Sequence, residues 1–193
     1  ARAVPGARSR MRRFIEAHER LATSVLATAN AEIYLDGCKD LRRAELFLSQ
    51  PQHRHSPLIL LVRNPIDWVG SNRAKGKTMP ASDLVDSWQR YIRTAEDVSR
   101  AYQAPLLSLT YERLCLEPEA QMRRICEHLG VGYDEAMLAP RAAGQHHILG
   151  NQMRSTFDGT ITAPTDQSHL VPDEDQRMIR SRCTDYLKQF DYV

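Results

Sequence analysis

Apolar residues fall along the chain in two rhythms, one helical and one extended. Between residues 11 and 29, Phe14, Leu21, Val25 and Leu26 recur at helical spacing among Arg12, Arg13, Glu16, Glu19 and Arg20, which predicts a surface helix packed by one stripe. Residues 32–36 form a short apolar run before Gly37-Cys38-Lys39 and predict a strand followed by a turn. A second helix is expected over 41–48. Residues 58–62, Leu-Ile-Leu-Leu-Val, are the most continuously apolar stretch and predict a strand buried on both faces, central in a parallel sheet. Asn64-Pro65 pairs a natural N-cap with a proline at the first helical position, so a helix should start there. Another helix is expected over 82–102, with Leu84, Trp88, Tyr91, Ala95, Val98 and Tyr102 inward; Trp68 and Trp88 are both read as core. A strand over 105–110, a helix over 118–129 closed by Gly130, loop from 134 to 168 and a last helix opened by Pro172 complete the pattern. Strands alternating with helices predict the α/β class, a parallel sheet flanked by helices.

Composition narrows this picture. At 193 residues, 42% hydrophobic and 26% charged, the chain fits one domain over 1–193 with a real core. No apolar run approaches the roughly 20 residues of a membrane span. The net charge of +2 is too small to argue for nucleic acid by itself. Five arginines do cluster at the start (Arg2, Arg8, Arg10, Arg12, Arg13); they fit either a solvated helix entrance or a surface for an anionic acceptor such as a sulfated sugar or lipid headgroup. Cys38, Cys115, Cys126 and Cys183 are widely spaced and have no zinc-ligand pattern, so reduced thiols are expected. No Asn-x-Ser/Thr sequon occurs, which favours a cytoplasmic home. The opening residues contain neither an initiator Met nor an apolar signal core, and read as cut rather than begun.

The chemistry concentrates after residue 58. A buried strand would deliver Arg63 to the carboxyl edge of the sheet, where the next helix points its backbone N–H groups and positive dipole end at the same space. Arg offers a bidentate fork for phosphate, and Ser71, eight residues on, lies about two helical turns along and adds a hydroxyl. The residues alone leave open a plainer alternative, an Arg capping a strand end and a Ser facing water.

Val62-Arg63-Asn64-Pro65 with Asp67 and Ser71 resembles the strand and helix that bind the cofactor's 3′-phosphate in the sulfotransferase family. Leu109-Thr110-Tyr111-Glu112-Arg113-Leu114, followed by Pro118-Glu119 and by 125–130, is similar to the family's next strand, turn and helix. His146, Gly150, Asn151 and Arg154 resemble a loop of the bacterial-type members, and 33–39 resembles their Val-Asp-Ser-Ser-Lys element, with Gly37 and Cys38 in place of the serines. These blocks cover about residues 20–190. The resemblance implies a P-loop-like sulfotransferase fold and 3′-phosphoadenosine 5′-phosphosulfate (PAPS) as donor, with 3′-phosphoadenosine 5′-phosphate (PAP) as product. It implies that Arg63 and Ser71 hold the 3′-phosphate, that Tyr111 lies near the adenine, and that Arg154 closes over the phosphate.

The family's first strand, 5′-phosphosulfate loop and helix have no counterpart here, which implies an amino-terminally incomplete domain. Gly70 to Gly76 with Lys77-Thr78 has five residues between the glycines where a nucleotide P-loop has four, and it follows a predicted helix, so it is not such a loop. A missing central strand would leave the flanks of 58–62 exposed and open to homo-oligomer formation. The implied reaction is transfer of a sulfuryl group to a hydroxyl or amine of a small-molecule, carbohydrate or lipid acceptor. Lys39 is the candidate cation for the developing charge, expected at a strand end on the same sheet edge as Arg63, and Asp36 is a candidate base. His146, His147 and His169 are titratable, with nothing in the sequence to bring them to an acceptor. Two other classes compete: a catalytically inactive binding protein of the same fold, and a basic helical nucleic-acid binder.

Overall fold

The computed structural model describes residues 7–37, 39–139 and 160–192. The chain divides into two compact units, Ala1–Arg54 and His55–Val193.

The first unit holds α1 (Ala7–Ala29), α2 (Leu41–Leu48) and a short 3-10 turn at Pro51–His53. Asp40 caps α2 by accepting the Arg42 amide at 3.1 Å. The buried face of α1 differs from the expected stripe. Ile15 is its buried apolar residue, with His18, Glu19, Ala22 and Leu26 partly covered, whereas Phe14, Leu21 and Val25 are exposed. Polar partners explain the shift: Glu19 accepts from Gln52 at 2.7 Å and pairs with His53 at 3.0 Å, and His18 meets Arg43, so the packed face carries satisfied polar groups that a hydrophobic pattern cannot flag. Residues 32–36 are not a strand. They have no ladder partner among the described residues, and Ile33 and Leu35 are exposed, so no neighbouring strand covers or pairs this stretch.

In the second unit, β1 (Leu58–Val62) and β2 (Leu106–Thr110) pair in parallel, from Leu58 opposite Leu106 to Val62 opposite Thr110. Parallel neighbours need a crossover connection. Here α3 (Pro65–Ala74) and α4 (Ala81–Tyr102) supply it. Leu60 and Val62 are buried, but Leu61 is 47% exposed, so one face of β1 is covered and not both. A sheet of two strands, packed by α4 on β1 and by α5 (Tyr111–Leu116) and α6 (Pro118–Leu129) on β2, does not enclose the other face. The parallel α/β arrangement is as expected, in a mostly helical setting.

Helix α4 buries Leu84, Val85, Trp88, Ile92, Ala95 and Val98; Tyr91, assigned to that stripe by spacing, is exposed. The final helical stretch is two helices, α7 (Asp173–Arg182) and α8 (Thr184–Gln189), separated at Cys183. Gln89 of α4 explains the break in part: its side-chain amide donates to the Arg182 carbonyl at 2.7 Å and so takes up an acceptor at the end of α7. Ile92 and Ile179 are fully enclosed, each worth about 1.5–3 kcal/mol of burial. Trp88 is core as expected, while Trp68 is only partly buried. In the stretch expected as loop, 3-10 turns form at Glu135–Leu138 and Ser168–Leu170, and residues 140–159 lie outside the described ones.

The Ser168–Leu170 turn packs against α3, and the residue before it sets the spacing. Asp67 accepts the Gln167 amide at 2.8 Å. A Cβ on Gly70 would sit 2.2 Å from the Gln167 carbonyl oxygen, so only glycine allows this approach. Gly70→Ala should therefore push two backbones apart and destabilise the fold by about 1–3 kcal/mol, read as a lower urea midpoint at unchanged slope.

Candidate functional site

Arg63 follows the last residue of β1, and its surroundings are drawn from three other segments. Its carbonyl accepts the Trp88 indole N–H at 3.0 Å. Its Nη2 donates to the Thr165 carbonyl at 2.8 Å, and the guanidinium carbon lies 5.2 Å from the centre of the Tyr111 ring, within cation–π range. The Nε–H is buried and has no partner among the described residues. An unpaired buried donor costs about 1–3 kcal/mol, a cost that an anion bound at this guanidinium would offset.

The start of α3 is closed more tightly than the sequence suggests. Asn64 caps the helix by accepting the Ile66 amide at 2.9 Å, and Pro65 has no N–H to offer. The Asn64 amide is taken by Glu112 Oε1 at 2.9 Å, and Asp67 brings a carboxylate into the first turn. Expected free amides are thus largely spoken for, and the cationic fork of Arg63 becomes the main attraction for an anion. Ser71, half-buried, stands beside Gly70 and one turn beyond Asp67 on the same helical face. Arg63 and Asp67 both bind the 165–167 stretch, so that stretch runs along the side of α3 on which Ser71 stands.

Residues 51–135 match the model of the sulfotransferase family. This match supports a sulfotransferase-family member. It covers less than half of the chain and contains Arg63, Ser71, Tyr111 and Glu112. Sulfuryl transfer is the general class of reaction it supports, and a transferase the kind of protein. No curated protein and no solved structure gave a match.

Within the matched segment, Tyr111 opens α5 directly after β2, where Thr110 accepts the Arg113 amide at 3.3 Å as the cap. Burial, and then a hydrogen bond with Cys115, push the Tyr111 hydroxyl above its ordinary value, so it stays protonated under the Arg63 guanidinium. Arg154, His146 and His147 lie outside the described residues, as does Cys38; His169 sits in the Ser168–Leu170 turn. Cys115, Cys126 and Cys183 are free thiols.

Lys39 and Asp36 belong to the first unit. The strand that was to carry Lys39 to the sheet edge is absent, which removes the geometric ground for setting it beside Arg63. Asp36 is engaged by Arg43 at 2.8 Å and by His18 at 3.4 Å, a structural ion pair joining α1 to α2. Among the described residues no cluster of metal ligands occurs, and no helix is long and apolar enough to cross a membrane.

Glu112, Trp88, Thr165 and Tyr192 all touch the site and were given no role there by the sequence. Glu112 stands beside a noted tyrosine, which is a weak local signal. The others reach Arg63 or its neighbours across 25 to 130 positions, and nothing local marks them.

One titratable group in the first unit yields a pH dependence. Burial and then the Arg43 guanidinium hold His18 below its ordinary value; Asp36 opposes this, His53 adds a little to it and Glu19 opposes slightly. Protonation is therefore easier in the unfolded chain, so the contribution of this group to stability is complete above about pH 6.5 and is lost as pH falls below it. Thermal unfolding from about pH 8 to pH 5 should show a larger drop for wild type than for His18→Gln.

Proposed function

We propose that the chain binds PAPS by its 3′-phosphate at Arg63 and Ser71 and transfers the sulfuryl group to a hydroxyl or amine on a small-molecule, carbohydrate or lipid acceptor. The observation that carries this reading is the Arg63 side chain. Its Nε–H is buried with no partner among the described residues, while Nη2 is anchored on Thr165 and the ring of Tyr111 lies alongside. A guanidinium held in place with a donor to spare suits a phosphate oxygen. The lone hydroxyl of Ser71, on the face of α3 along which residues 165–167 run, supplies a second donor.

The bound donor would bring an activated sulfuryl group whose departure leaves PAP. Positioning by the chain does the remainder. Arg63 and Ser71 fix the 3′ end, and the face of Tyr111 suits an adenine ring. By resemblance, Arg154 closes over the phosphate. A cytoplasmic setting would keep Cys115, Cys126 and Cys183 as thiols.

Titration calorimetry with adenosine 3′,5′-bisphosphate tests the site. Removing a charge-assisted contact costs about 1.5–3 kcal/mol, so Arg63→Ala should bind roughly 10- to 100-fold more weakly than wild type. Equal affinity of the two proteins would sink the reading. Transfer of label from PAPS to an acceptor then tells an enzyme from a protein that only binds.

A further inference from the structure

We propose that Tyr192 is a positioning residue for the anion site, acting through Glu112 to fix the backbone that follows Arg63. This rests on the reading of Arg63 as a phosphate ligand. The Tyr192 hydroxyl donates to Glu112 Oε2 at 2.6 Å, and Glu112 Oε1 accepts the Asn64 amide at 2.9 Å. The same hydroxyl lies 3.4 Å from the Val62 carbonyl, the residue before Arg63. With Trp88 on the Arg63 carbonyl and Glu112 on the Asn64 amide, the backbone groups of the peptide that joins these two residues are held by side chains from α4 and α5. A guanidinium on such a backbone has little freedom to swing away from its ligand, and a preformed site loses less on binding.

Tyr192 is itself held. Its amide donates to the Leu187 carbonyl at 2.8 Å, closing the turn in which Asp191 takes a left-handed φ of 54°. Arg113 donates to Asp191 at 3.0 Å, so adjacent residues of α5 grip adjacent residues after α8, Glu112 on Tyr192 and Arg113 on Asp191. Burial and the bond to Glu112 raise the hydroxyl well above its ordinary range, which keeps it a donor at any working pH. A carboxylate brings acceptors only, so the hydroxyl must supply the proton of this bond.

Tyr192→Phe in the full chain keeps the ring and removes the donor. Two readouts are expected to move together: exchange of the Asn64 amide proton should quicken several-fold, and adenosine 3′,5′-bisphosphate should bind roughly 3- to 10-fold more weakly. Glu112→Gln, which keeps an oxygen for the amide, should fall between wild type and Tyr192→Phe. Gln189→Ala is the control, because it cuts a different contact of α8, the 3.1 Å bond to Glu96, and should change neither readout. Wild-type exchange and affinity in Tyr192→Phe would overturn the lock while leaving the Arg63 site intact. Equal losses in Gln189→Ala would overturn it too, as general loosening of α8. If wild type binds no nucleotide, or Arg63→Ala binds as well as wild type, the site reading falls and takes the positioning role with it.

Discussion

The turn from β1 into α3 must leave a sheet, change direction and begin a helix within two residues, and backbone groups in such a turn have no ladder to satisfy them. Here the Arg63 carbonyl and the Asn64 amide are met by Trp88 and Glu112, while Asn64 folds back on Ile66. Those bonds let a charged side chain stand at a strand tip in one orientation. The partners come from α4 and α5, so packing of the crossover helix and alignment of the two strands are both required before Arg63 is placed. Site and fold are thus built by one set of interactions.

That dependence explains what the sequence could reveal. Residues 58–62 announce themselves by an unbroken apolar run, 106–110 by Leu106, Leu107 and Leu109 after a proline, and Asn64-Pro65 by local capping chemistry, so strand, turn and helix are legible to within a residue or two. Periodicity failed where polar groups pack. The inner face of α1 holds His18 and Glu19 because Arg43, His53 and Gln52 come to meet them, and that meeting depends on tertiary structure. Residues 32–36 look like a strand by composition alone. A strand exists only if a neighbour offers a ladder, and local sequence does not contain the neighbour.

The same distinction sorts the candidate site. Arg63 is fixed by local signals, the end of an apolar run and a helix start, and its stacking on Tyr111 follows from the register of β1 with β2, which ends both strands level at Val62 and Thr110. Asp36 and Lys39 rested on resemblance and on a strand that does not form. Asp36 has instead the geometry of a tie between two helices, with Arg43 reaching both it and His18. Glu112 was read past because its job is to receive a backbone proton from a residue 48 positions earlier.

Charge near the start of α3 presents a competition that geometry resolves. A helix N-terminus attracts anions, yet Asp67 already brings one, and Asn64 has taken the Ile66 donor. Were that all, a phosphate would meet repulsion. Asp67, however, spends an oxygen on the Gln167 amide, and the stretch it holds carries the Thr165 carbonyl that anchors Arg63. The acid thereby helps to aim the base beside it. On the reading proposed above, the local carboxylate costs some attraction for the ligand and offsets this by fixing the cation, an exchange that favours a ligand defined by shape over any passing anion.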